Sequence, residues 1–246
     1  MTSYPQLSHP PIREGLIDIQ FENEISKEFV DRHNVIASKE YEKSTPIWHA
    51  IFNFSPEKIT KDQVSNSTVG YRYDNSSPPN VLQCRTKGFT FSRLTPYSNW
   101  DDLSLNAKKA WNSFTCNSQE IVVNRIAVRF INQIELNLPI SDFNEFLRCS
   151  PDIPEQLNTG LSAFLQRVVI PVPENNCIAI VIQALDEPTI EPITSLKILL
   201  DIDVFKTVKI DSKNTELIWQ ELEKLRNIKN RIFFSFITEK LIERYK

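Results

Sequence analysis

The sequence predicts an α+β protein made of two tandem βαβββα halves, each an antiparallel sheet with helices on one face. Three observations predict it. Apolar periods run through one order twice, strand, helix, three strands, helix, over about residues 12–117 and again over 121–245. The strand-like stretches alternate apolar with polar residues, as half-buried strands with one wet face do. The chain ends on a long helical period. The halves are residues 1–118, opened by an extended arm, and 119–246, closed by that long helix.

In the first half, Met1 to Pro11 reads as the arm, where Pro5, Pro10 and Pro11 forbid helix. From Ile12 to Glu22, Ile17, Ile19 and Phe21 point one way and Asp18, Gln20 and Glu22 the other, which predicts a strand. Ile25 to Tyr41 has helical spacing, with Phe29, Val30, Val35 and Ile36 as its apolar stripe. Ile47 to Phe54 is rich in β-branched and aromatic residues and reads as a strand. Ser55 to Val69 reads as a loop. Gly70 to Asp74 and Val81 to Arg93 read as strands around the turn-rich Asn75 to Asn80. Trp100 to Phe114 predicts a helix, with Asn99 as its cap and Asp101 and Asp102 where the helix dipole favours negative charge.

The second half opens with the clearest strand, Val122 to Leu136, where Ile126, Val128 and Phe130 alternate with Arg125, Ala127 and Arg129. Ser141 to Arg148 reads as a short helix capped by Ser141. Leu161 to Val172, Cys177 to Leu185 and Ser195 to Val208 predict three more strands, joined by Pro-rich connections. From Thr215 to Tyr245 the apolar positions Ile218, Leu222, Leu225, Ile228, Ile232, Phe236 and Leu241 recur at three and four. Some 30 residues of helix would span ~45 Å. That exceeds a small domain, so a break near Asn227 to Arg231, or packing of one end on a partner, is expected.

Composition narrows the function classes. Hydrophobic residues make up 41% and charged residues 24%, as in a globular chain that can bury a full core. The net charge of −3 lacks the electrostatic footprint of a nucleic-acid binder, so nucleic acid is not an expected partner. Cys84, Cys116, Cys149 and Cys177 form no CxxC pair, which argues against structural zinc. The first residues lack an apolar core of signal-peptide length, and no stretch is long and apolar enough to span a membrane. A cytoplasmic protein with reduced thiols is the expectation. With only four glycines there is no GxGxxG and no GxxxxGK[ST], so neither phosphate-cradling loop is present.

Candidate chemistry is correspondingly sparse. His9, His33 and His49 are too scattered for a metal cluster, and a Cys84–His49 centre rests only on neighbouring strands. The charges inside strands say more. Asp201 and Asp203 share one face of their strand, Arg125 and Arg129 one face of theirs, and Asp18 and Gln20 one face of theirs. Sharing a sheet, they would form a ladder of acids and arginines. Its plainer account is cross-strand ion pairing on a solvated face. Its functional account is a polar groove for a ligand or a partner's charged segment. A metal-dependent hydrolase or nuclease using Asp18, Asp201 and Asp203 is a third reading. In Arg85 to Tyr97, basic and aromatic residues interleave and Gly88 marks a turn or bulge, yet Phe89 and Phe91 also have the period of core.

The blocks PPIREGLIDIQFE at 10–22, KGFTFSRLTPYSNW at 87–100, RIAVRFIN at 125–132, LDIDVF at 200–205 and LRNIKNRIFFSFIT at 225–238 resemble, in order along nearly the whole chain, a sporadically distributed bacterial family of uncharacterised proteins of about this length. The resemblance implies no catalytic residues and no cofactor. Its patchy distribution is the habit of genes on mobile elements, and so implies a phage-defence or toxin–antitoxin type module. The expected function is a non-enzymatic cytoplasmic binding protein with a protein partner, for which a neighbouring gene is the first candidate. Duplicated halves also occur in clam-like ligand-binding folds. The alternative is therefore a sensor taking a small molecule in the cleft between halves, with Trp48, Tyr71, Phe91 and Arg129 as lining. Self-association is left open.

Overall fold

The structure, a computed structural model, describes residues 4–52, 64–116, 118, 120–140, 142–151, 154–157, 161–185 and 194–246. One antiparallel sheet of nine strands runs through it, in the order β2-β3-β4-β5-β1-β6-β9-β8-β7. The strands are β1 (Ile12–Phe21), β2 (Lys43–Phe52), β3 (Val64–Ser76), β4 (Pro79–Arg85), β5 (Gly88–Leu94), β6 (Val122–Asn137), β7 (Phe164–Val172), β8 (Cys177–Leu185) and β9 (Ser195–Asp211). The helices are α1 (Lys27–Ala37), α2 (Trp100–Thr115), α3 (Thr215–Phe236) and α4 (Glu239–Glu243). Among the described residues no helix is long and apolar enough to cross a membrane.

Register explains the core. Tyr73, Leu82, Phe91, Ile17, Val128, Val204 and Ala179 stand opposite one another on successive strands from β3 to β8, and all are buried. Because side chains alternate along a strand, this row and its neighbours two residues away form one apolar face. The helices lie on that face. His33 of α1 meets Tyr73 edge-on, Trp111 of α2 packs on Phe21 and Phe89, and Lys229 of α3 sits over Phe130. Trp111 also meets Trp219, joining α2 to α3 across the layer. Gly70 is needed for close approach, since a Cβ there would stand 2.3 Å from the Cys84 carbonyl oxygen.

Several expectations need correction. Val81 to Arg93 is a hairpin, β4 and β5, that turns at Thr86 and Lys87, so four strands follow α1. Residues 64–69, expected as loop, belong to β3, where they pair with β2; the rest of Ser55 to Val69 lies outside the described residues. On α1 the buried positions are Val30, His33 and Ala37, whereas Val35 and Ile36 are exposed. The helix is shorter than its apparent period, and its stripe is completed by His33. For Ser141 to Arg148 there is only a 3₁₀ turn, Phe143–Glu145, capped by Asp142; Ser141 itself is outside the described residues. The C-terminal helix is interrupted at Ile237, not at Asn227 to Arg231. There the chain becomes extended and bridges to Leu147, and Thr238 then caps α4. Sheet-like bonding of this segment, with Arg148 N–H donating to Phe236 and Thr238 N–H to Phe146, competes with helix at that point.

Candidate functional site

The helices leave the other side of the sheet bare among the described residues, and the strand charges gather there. Asp18 on β1 is the hub. Its Oδ1 accepts from Thr90 Oγ1 at 2.6 Å and from Arg85 Nη2 at 3.0 Å. Its Oδ2 accepts from Arg125 Nη1 at 3.1 Å and from Gln20 Nε2 at 3.2 Å. Arg125 reaches on to Asp203 Oδ2 at 3.3 Å and lies over the Phe205 ring, 4.4 Å from its centroid. Beside them Arg129 grips Asp201 through both Nε and Nη2, at 2.5–3.1 Å.

Register sets these partners. Arg129 stands directly opposite Asp203 but bonds Asp201, one step diagonal on the same face, and Arg125, opposite Thr207, reaches Asp203 two steps away in the same direction. Side-chain exposures run from 6% at Asp201 and 15% at Asp18 to 42% at Arg129, so the pairs are half-shielded. Burial pushes the Asp203 carboxyl above its ordinary range, while Arg125 and Arg129 pull the other way. Three acids thus meet three arginines, leaving the centre of this face close to neutral.

Toward the β7 edge the same face becomes more apolar, around one exposed arginine, Arg167. Leu165, Val169 and Ile178 are 76%, 50% and 39% exposed, beside Pro171. The row Asp18, Ala127, Phe205, Ile178, Pro171 runs from the ion pairs directly into this strip.

Asp18, Gln20, Arg125, Arg129, Asp201 and Asp203 are therefore brought together as the alternation predicts. Trp48, Tyr71, Phe91 and Arg129 are not. Phe91 is buried under the helices, Arg129 is on the bare face, Tyr71 donates to Asp31 of α1 at 2.8 Å, and Trp48 is exposed on the edge strand β2. The carboxylates are occupied by arginine, and among the described residues no group of three His, Cys, Asp or Glu side chains is placed to hold a metal ion. Cys84 is fully buried, which drives its thiol well above its ordinary value; the His49 side chain lies outside the described residues.

One chemically notable residue escaped the sequence reading. Lys229 is buried, yet among the described residues it has no acid beside it. Its signal was available: it stands four residues after Leu225 and three before Ile232 on the apolar stripe of α3.

No protein-family model matches the chain, and no curated protein matches it. Among solved structures it is similar to the TBP of Methanococcus jannaschii, at 11% identity over 91% of this chain and 99% of that one, with a TM-score of 0.29. A likeness of that extent supports no conclusion about fold or function.

Proposed function

We propose that the chain is a binding protein whose bare sheet face receives a protein partner, as a component of a defence or toxin–antitoxin type module. The observation that carries this reading is the apolar strip at Leu165, Val169, Pro171 and Ile178, set against a self-neutralised centre and ending at an edge strand. An edge strand presents N–H and C=O groups that an extended segment can pair with, while alternate side chains take up apolar contacts. Arg85, Arg125 and Arg129 are already engaged by acids and offer phosphate little, which leaves Arg167 alone in the strip and makes a protein suit this face better than nucleic acid. The module assignment rests on the family resemblance alone. The doubling is part of the same reading. β1 and β6 lie side by side near the sheet centre, with β5, β4, β3 and β2 leading outward on one side and β9, β8 and β7 on the other, an order two related units would share apart from the extra edge strand β2.

Co-expression with the products of neighbouring genes tests the proposal. A stoichiometric complex should form, protect β7 and β8 amides from hydrogen exchange, and be lost in Val169→Asp. A complex indifferent to that substitution, or protection confined to the helices, would overturn it.

A further inference from the structure

On the helix side of the sheet, a cavity of 360 Å³ lies between the N-terminal arm, the turn into α2, β6 and α3. Aromatic rings form part of its walls, Tyr97, Trp100, Phe130, Phe233 and Phe234, with Tyr4 of the arm stacked on Phe234 at 4.8 Å, and polar side chains form the rest. Gly15 is required beside it, because a Cβ there would meet Phe130 at 2.8 Å and Tyr97 at 3.1 Å. A side chain at this position would displace two walls.

Lys229 lines this cavity and is 8% exposed, with Nζ 3.8 Å from the Phe130 ring centroid. Among the described residues no carboxylate or other hydrogen-bond acceptor is paired with it. Asp101 lines the same cavity but makes no ion pair with Lys229. Arg226, three residues earlier on α3, also lines it, bonding Asn227 at 3.2 Å and Glu223 at 3.4 Å. Desolvation, helped by the Arg226 charge, pushes the Lys229 amine down to about 7. A buried ammonium without a counter-ion is unfavourable, and a ligand that brings the missing anion removes that penalty. The ring-lined walls suit a flat apolar body, and the volume is that of a small-ligand pocket.

We propose that this cavity binds a small aromatic carboxylate, its acid group paired with Lys229 and flanked by Arg226, its ring held among Tyr97, Phe130 and Phe233. The site is on the opposite side of the sheet from the partner face, so either assignment stands or falls without the other.

Calorimetric titration of the full chain with naphthoate tests it, with naphthalenemethanol as the neutral counterpart. One molecule of naphthoate should bind per chain. Proton uptake on binding should increase between about pH 6 and 8, as a neutral amine becomes the paired ammonium. The alcohol should bind about tenfold or more weakly, and Lys229→Met should weaken naphthoate by a similar factor. The alcohol comparison uses the unaltered chain and so decides the matter even if the variant folds poorly. Absence of naphthoate binding up to about 1 mM, equal affinity for acid and alcohol, or undiminished binding by a folded Lys229→Met protein would overturn the assignment.

Discussion

On the bare side of the sheet Arg85, Arg125 and Arg129 each meet an acid, whereas on the helix side Lys229 faces a phenyl ring with none. Burial alone does not explain the difference. Arg93 and Lys206, also on the helix side, pair with Asp102 and Glu221, so the fold supplies counter-ions there as well. What distinguishes Lys229 is the cavity next to it. A solvated face tolerates charge cheaply and uses its pairs to set register, each contributing ~0.2–1 kcal/mol. A layer packed under helices does not, so an unpaired amine there either sheds its proton or takes a counter-ion from outside.

The sharpest way to break this contrast is to remove Lys229. Its amine titrates at about 7 in the folded chain and at about 10.4 when unfolded. Between those values the unfolded chain binds more protons, so wild-type stability rises with pH; below them both states are charged and the penalty is present in full. Lys229→Met should therefore be the more stable protein at pH 6, by up to about 5 kcal/mol at 1.36 kcal/mol per pH unit, with the gap closing toward about pH 10. Urea melts of the two proteins at several pH values measure it, and a gap independent of pH would mean the amine is not desolvated.

The hub of the bare face comes next. Asp18→Ala strands Arg85, Arg125 and Thr90 without their shared acceptor. Breaking a fully buried pair costs 3–5 kcal/mol, and partial exposure reduces this to about 2. A loss below about 0.5 kcal/mol in denaturant titration would show the ladder to be mere solvated decoration.

Comparing Asp201→Asn with Asp203→Asn sharpens the picture within the ladder. Asp201, gripped twice by Arg129, should cost about 1–2 kcal/mol to neutralise. Asp203, with one bond at 3.3 Å and a carboxyl that burial disfavours in its charged form, should cost nothing at neutral pH or stabilise slightly. Because burial raises the Asp203 carboxyl, the folded chain holds that proton to higher pH than the unfolded one. Wild-type stability from this group thus falls as pH rises through its folded value, and Asp203→Asn should remove that fall and steepen the gain in stability from acid to neutral pH.

The smallest expected effect on stability is at the apolar strip. Val169→Asp replaces an exposed side chain and should change unfolding by less than about 0.5 kcal/mol, while abolishing capture of the partner. A large loss of stability would show that the strip is held by the protein itself.

Much of this was readable in the sequence, and the misses have common causes. Helix α2 was legible because Asn99 and the following aspartates state its start chemically. The β4–β5 hairpin was only half legible: Gly88 marks a turn or bulge, but Thr86-Lys87-Gly88 does not interrupt the apolar run on either side. The end of α3 was missed because its apolar period continues through Ile237, where pairing with Leu147, far away in the chain, takes over the backbone. Phe91 looked like ligand lining, but the same aromatic character equally serves core, and burial under α2 and the central strands decided between them.

Alternation by itself put Asp18, Gln20, Arg125, Arg129, Asp201 and Asp203 on one face, since neighbouring residues of a strand must point oppositely. Which acid meets which arginine depended on the diagonal register of β1, β6 and β9, and the isolation of Lys229 depended on where α3 crosses the sheet. Both are long-range placements, fixed by how whole elements pack and not by any local period.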